Sequence, residues 1–233
     1  LDIAEMTSGT FDPTWAALWS LWDFKTPSLP TEEEVFDRVP LVNWELVQVE
    51  DNTIFLPEEG MALGLGGIAK GIALDHARNA LVERSVKNFM IIVGGQILVQ
   101  GTNDDIPWKI GIRKPDGTAD EYIAILNVTD TCVSTSGNYE KYFEVDGIRY
   151  HHIIDPRTGY PSTGTRSVTV ITPDATLADA LSTALFVMAP DQAIQLVDNL
   201  PEVEALIIDT SGQMHLSSEI MSRLTFTPLV YID

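Results

Sequence analysis

Residues 176–188, Thr-Leu-Ala-Asp-Ala-Leu-Ser-Thr-Ala-Leu-Phe-Val-Met, constrain what this chain can fold into more than any other stretch, and the rest is organised around them. Leu177, Leu181, Ala184, Leu185 and Met188 recur at helical spacing, with Thr176 as an N-cap just after the breaker Pro173-Asp174. Asp179 and Thr183 stand four residues apart, so a carboxylate and a hydroxyl project from one face beside the apolar stripe, where helix formation requires neither. Both are hard oxygen ligands suited to Mg²⁺, an ion that takes one or two protein oxygens and leaves its other positions to water and phosphate. An Asp and a Thr on a helix are more often a solvated face or a back-bonded hydroxyl, so the pair gains weight only from what stands elsewhere.

The 233 residues suffice for one core or two small lobes, and 45% hydrophobic with 21% charged content is ordinary for a globular protein. A net charge of -20 without a basic patch excludes nucleic acid and an anionic membrane surface as partners. An anionic small molecule can still bind where a cation, a lysine or a helix N-terminus reverses the local field. Cys132 is the only cysteine, so an internal disulfide and a Cys-based zinc site are both excluded. No run is long enough to span a bilayer, and Leu1 begins neither a signal peptide nor a lipid-attachment cysteine.

In chain order, Asp12-Pro13 before Trp15, Leu18, Trp19 and Trp22 predicts a helix that stops by Pro27. Thr31 with Glu34 is a capping-box pattern for a short helix to about Arg38. Residues 44–49 and 53–56 read as a hairpin, and 64–71 lead into a helix to about Glu83. Residues 89–93 read as a strand that runs through Gly94-Gly95, as a bulge or close approach, into 96–100. Hairpins follow around Pro115-Asp116-Gly117, Asp146-Gly147 and Ser211-Gly212, with a helix over 191–197. The pattern is α+β: antiparallel sheets with packed helices.

Three further stretches can carry chemistry. Glycines 64, 66 and 67 before a helix let backbone N–H groups and the helix end approach a phosphate, and Lys70 in the first turn reaches the same anion. The stretch is neither a Walker A loop nor a Rossmann fingerprint, and by spacing alone a plain strand-to-helix turn is the commoner reading; the Gly67 carbonyl freed by such a turn could also serve as a metal ligand. His151 and His152 alternate faces in a strand, so at most one faces a given ligand, and the following Asp155-Pro156-Arg157-Thr158-Gly159 is ordinary turn chemistry. Residues 134–140 are hydroxyl-rich and read as a loop whose side chains satisfy its own backbone. His76 and His215 show no partner in the pattern.

Taken together, these residues resemble the ApbE family of FAD:protein FMN transferases. Its members carry five ordered motifs, which stand here as Gly9-Thr10-Phe11-Asp12-Pro13-Thr14, residues 64–71, Thr135-Ser136-Gly137-Asn138-Tyr139, residues 152–159 and residues 178–184. The resemblance implies an ApbE-like, T-fold-related α+β domain over 1–233. It implies that FAD is bound with Mg²⁺ and that FMN passes to a Thr or Ser of a partner protein with release of AMP. Carried over by position, the metal ligands are Asp179, Thr183 and the Gly67 carbonyl; FAD contacts come from Thr10, Phe11, Asp12, Lys70 and the Ile153 region; His152 matches the histidine implicated in activity. Lys70 and the metal would neutralise charge on the departing AMP, and His152 is the candidate base. Acceptors are expected among subunits of respiratory redox complexes, and the protein is expected outside the cytoplasmic membrane, lipid-anchored in its precursor.

Two departures stand out. Gly64 replaces the family's usual Asp, and restoring the acid is expected to tighten FAD binding. The family's earlier segment, with a Met-Gly-Thr strand and an FAD-contacting Tyr, does not precede Leu1. Two alternatives share the same residues: an FAD pyrophosphatase yielding FMN and AMP, and a flavin-binding protein that has lost catalysis.

Overall fold

The computed structural model describes residues 1–118 and 120–226. The chain begins with α1 (Asp2–Met6), a 3-10 stretch over Ala16–Leu21, α2 (Glu32–Arg38) and a hairpin of β1 (Gln48–Glu50) and β2 (Thr53–Phe55). Next come α3 (Ala69–Glu83), β3 (Phe89–Val93), β4 (Gln96–Gln100), β5 (Trp108–Arg113) and β6 (Tyr122–Val128). They are followed by β7 (Thr131–Gly137), β8 (Tyr142–Val145), β9 (Ile148–His151) and β10 (Thr165–Thr172). The last described elements are α4 (Ala175–Val187), α5 (Pro190–Val197), β11 (Glu204–Asp209), β12 (Met214–Leu216) and β13 (Leu224–Phe226).

An antiparallel sheet in the order β12-β11-β10-β7-β4-β3 forms the middle layer. Side chains alternate across a strand, so each face of this sheet finds its own cover. On one face Leu98, Cys132, Val168, Val170, Ala205 and Ile207 meet Leu181, Leu185 and Phe186 of α4. On the other, Val99, Val133, Ile171 and Leu206 meet Ile110, Ile112, Ala124 and Leu126 of a smaller sheet, β13-β6-β5. The α+β architecture is the one expected.

Helix α4 is apolar because it is covered on several sides at once. Leu181 and Leu185 lie on the sheet, Ala180 and Ala184 lie under Phe11, and the first turn abuts Gly71 of α3. Truncating Leu181 to Ala therefore costs about 2–5 kcal/mol, the price of a cavity that cannot collapse. Its N-cap is Asp174, which accepts from the Leu177 N–H at 2.8 Å, and not Thr176. Thr176 sits inside the first turn because its hydroxyl and N–H are both drawn to the Asp75 carboxylate, at 2.6 and 2.8 Å.

Other expectations change for equally local reasons. After Asp12-Pro13 the chain makes only the 3-10 stretch, since the Asp12 carboxylate serves Thr14 and Trp44 and the Trp22 indole donates to the Gly159 carbonyl at 2.9 Å. Residues 44–46 form a 3-10 turn, leaving a shorter hairpin. Gly94-Gly95 is a two-residue hairpin turn between β3 and β4, with Val93 opposite Gln96 and Gly94 at φ +59°, where glycine is favoured. The capping box of α2 is present as predicted. The hairpin β8–β9 is held by a column of aromatic rings, Phe24, Phe143, Tyr150, Trp22 and Tyr160, whose successive centroids lie 5.5 to 5.9 Å apart. That column fixes the segment that leads into His152.

Candidate functional site

The site forms where the N-terminus of α3 crosses α4. Gly71 permits the crossing: a methyl there would overlap the Ala175 carbonyl and sit 2.6 Å from Thr176 Cα. At this distance each helix supplies a carboxylate to the other's first turn. Asp75 of α3 accepts from the N–H groups of Ala175 and Thr176, at 3.2 and 2.8 Å, and Asp179 Oδ2 of α4 accepts from the Gly71 N–H at 3.0 Å. Gly71 lies in the first turn of α3, where N–H groups have no acceptor within the helix, and Asp179 supplies one. The Gly67 carbonyl, just before the helix cap, has no backbone donor among the described residues.

The other predicted groups lie beside this glycine turn. Asp179 is buried, and its Oδ1 faces the Lys70 ammonium at 3.1 Å. Thr183 Oγ1 donates to the Asp179 carbonyl at 3.4 Å, which turns its lone pairs away from the helix, and it lies 3.3 Å from where a Cβ on Gly67 would stand. The Phe11 ring closes the same spot, 3.1 Å from that point. Lys70 passes over the Gly94-Gly95 turn and also reaches the Gly66 carbonyl at 3.4 Å. A buried carboxylate and a hydroxyl of one helix thus lie beside a glycine turn with a bare carbonyl, hard-oxygen groups of the kind Mg²⁺ accepts. The described residues contain no cluster of three His, Cys, Asp or Glu that could hold a metal, so a softer ion finds no alternative there.

The two histidines do not share a strand as expected: β9 ends at His151, and His152 lies in the bend that follows. His151 is buried; its Nε2–H donates to the Ser162 carbonyl at 2.9 Å and its Nδ1 accepts from the Ile153 N–H at 3.3 Å. These bonds require the neutral ring, and burial pushes its pKa down to about 4. His152 is half-buried. The Lys141 carbonyl can only accept, so the contact at 3.3 Å assigns the proton to Nδ1 and leaves Nε2 as the basic lone pair. Burial holds His152 below the usual histidine range, and the nearby Lys141 and Lys70 ammonium groups lower it further.

The ApbE family model matches residues 1–207. The chain belongs to the ApbE family. It is 33% identical to an FAD:protein FMN transferase of Treponema pallidum, covering 96% of this chain and 67% of the relative. It is 35% identical to one of Vibrio cholerae, covering 94% and 68%. It therefore spans about two thirds of these relatives' length. Among solved structures it resembles the apbe protein of Thermotoga maritima, with a TM-score of 0.87, 38% identity, and 95% of this chain and 74% of that one covered. It also resembles the flavin transferase ApbE of Vibrio cholerae, with a TM-score of 0.84, 31% identity, and 95% and 73% covered.

The family's other motif positions are placed as follows. Thr10 is buried and gives its hydroxyl to the Thr7 carbonyl at 3.1 Å. The Asp12 carboxylate accepts from the N–H and hydroxyl of Thr14 and from the Trp44 N–H, which makes it the organiser of the loop that presents Phe11. Ile153 has its side chain in the core and its N–H and carbonyl both internally bonded, so contacts from this stretch outward fall to the partly exposed His152 and Ile154. At Gly64 the sequence-based expectation of a restored acid meets an obstacle: a Cβ there would stand 2.7 Å from Trp15 Nε1, and that indole donates to the Gly64 carbonyl at 3.0 Å. Trp15 fills the space that a family Asp side chain would use.

Some neighbours of the site escaped sequence reasoning. The hydroxyl-rich segment 134–140 begins within β7, between β4 and β10, rather than being a loop. Ser134 and Ser136 point at α4 and donate to Ser182 Oγ, at 3.1 and 2.9 Å, which donates to the Asp179 carbonyl at 2.9 Å. The period-two spacing of the two serines was the available signal. Gln96, opposite Ser134, is fully buried with neither amide atom paired. His215, assigned no partner from sequence, lies between Asp209 at 3.1 Å and Asp191 at 3.2 Å and ties α5 to the sheet.

Proposed function

We propose that this chain transfers the FMN moiety of FAD to a Thr or Ser hydroxyl of a partner protein, with Mg²⁺, releasing AMP. One observation carries the reading: Gly67, Lys70, Asp179 and Thr183, drawn from two distant motifs of a flavin transferase family, meet at one helix crossing. Asp179 Oδ1, Thr183 Oγ1 and the Gly67 carbonyl would hold the ion. When bound, Mg²⁺ would neutralise the diphosphate and the charge that develops on the leaving phosphate.

The chain's own residues do the rest. The N-terminus of α3 and the Lys70 ammonium favour an anion at the glycine turn, against a net charge of -20 that repels anions elsewhere. Phe11 covers one side of the site and limits access of water to it. Nε2 of the neutral His152 can take the proton of the incoming hydroxyl as that oxygen attacks the flavin-side phosphorus. In this proposal the acceptor belongs to a respiratory redox complex and the reaction takes place outside the cytoplasmic membrane, with a lipid anchor for retention; resemblance to the family is the support. No helix among the described residues is long and apolar enough to cross a membrane.

The test is incubation with FAD, Mg²⁺ and a peptide bearing an acceptor Thr, read by mass. Flavinylated peptide with AMP is expected. Free FMN with AMP, and an unmodified peptide, would replace transfer by pyrophosphatase activity; unchanged FAD would overturn both.

A further inference from the structure

The two oxygens of the Asp179 carboxylate are not equivalent. Oδ2 is fixed by the backbone N–H of Gly71, at a helix terminus that cannot move without opening the α3–α4 crossing. Oδ1 is held by the ammonium of Lys70 at 3.1 Å. Asp179 has a side chain 3% exposed, whereas that of Lys70 is 41% exposed. The anion is therefore immobile and its counter-charge is mobile.

A divalent cation bound through Oδ1 would meet that ammonium at contact distance. Two cations that close repel strongly in a partly buried setting, so one must leave. Lys70 is the one able to go, on a flexible four-carbon stem beside the open Gly94-Gly95 turn. We infer that Lys70 is an exchangeable placeholder: it neutralises Asp179 before the metal binds, and moves from Asp179 to the diphosphate of the incoming dinucleotide when the metal takes Oδ1. This rests on the metal reading given above and adds to it a coupling between two ligands.

The coupling has a definite sign. Metal alone must displace the ammonium into solvent, whereas metal arriving with a diphosphate hands it a new partner. Each ligand therefore improves the affinity for the other by the same factor. A site that loads the ion weakly by itself and firmly with a diphosphate present would be armed chiefly when substrate is there. The Gly66 carbonyl, 3.4 Å from Nζ, offers the ammonium a resting point along the way.

The experiment is calorimetric titration of Mg²⁺, with and without saturating ADP, which carries a diphosphate but no flavin to transfer. The natural chain, Lys70→Met, Lys70→Gln and Asp179→Asn are compared. Lys70→Met is expected to bind Mg²⁺ alone roughly tenfold tighter than the natural chain, within the usual range of coupling between sites. ADP should tighten Mg²⁺ binding by a clearly larger factor in the natural chain than in Lys70→Met, where only the direct bond between ion and diphosphate remains. Lys70→Gln, which keeps a polar stem without the charge, should follow Lys70→Met and serves if the methionine variant does not fold. Unchanged or weaker Mg²⁺ binding in both Lys70 variants, or an ADP effect as large in them as in the natural chain, overturns the exchange while leaving the metal site in place. Absence of Mg²⁺ binding in the natural chain with ADP, matched by Asp179→Asn, overturns the metal reading itself and the exchange with it.

Discussion

The N–H of Gly71, in the first turn of α3, is hydrogen-bonded to the carboxylate of Asp179, 108 residues away in sequence. One bond thereby fixes an acid and satisfies a donor that its own helix leaves without an acceptor. Asp179→Ala should remove metal-dependent turnover and cost about 1–3 kcal/mol of stability, because a buried backbone donor loses its acceptor. Activity assays with and without Mg²⁺, alongside denaturant unfolding, measure both; full activity in the variant would refute the assignment of Asp179.

Gly71→Ala places a methyl against the Ala175 carbonyl, which is backbone and has no rotamer to escape into. We expect a loss of about 3 kcal/mol or more, at the upper end of overpacking costs. A melting temperature within a degree of the parent would show that the crossing is looser than described.

His152→Asn should lower transfer by about 10²–10⁴-fold, the usual contribution of a general base, with FAD affinity little changed. A base acts when unprotonated, and this one titrates below 6.5, so the acid limb of kcat/KM should lie below pH 6.5 and disappear in the variant. An identical pH profile in both proteins would exclude His152 as the base.

His151 should make the fold acid-sensitive. Its pKa falls from 6.5 when unfolded to about 4 in the folded chain. Between those values the unfolded state binds more protons, so its contribution is present above pH 6.5 and is lost as the pH falls to about 4. The loss amounts to about 3 kcal/mol. Denaturant midpoints across pH 4 to 7 should show a steeper decline in the parent than in His151→Gln.

Gln96→Met removes a buried amide that has no partner at either atom, at nearly constant volume. Stability should rise by about 1 kcal/mol. A destabilised variant would mean that the amide is hydrogen-bonded in solution.

The shared face of Asp179 and Thr183 was legible because four-residue spacing on a helix fixes it before any tertiary contact is known. Lys70 and the Gly67 carbonyl were legible for a similar reason, since a glycine turn entering a helix has a local geometry. What sequence could not show was the meeting of the two helices. Thr176 looked like the cap of α4 because hydroxyls cap helices, yet Asp75, a hundred residues away, takes that hydroxyl and leaves capping to Asp174. Strand β7 was hidden because Ser134, Thr135 and Ser136 have the composition of a loop; their burial depends on partners in α4 and β10. Gly64 looked like a lost acid, and only the Trp15 indole packed on it shows why a side chain has no place there.

The reciprocal service of Asp75 and Asp179 has one more consequence. Since each acid completes the opposite helix, neither segment alone contains a finished binding site, however helical it remains. Ion uptake should accordingly vanish in any partly melted species that keeps its secondary structure but lets the two rods part, making a simple titration a gauge of native docking.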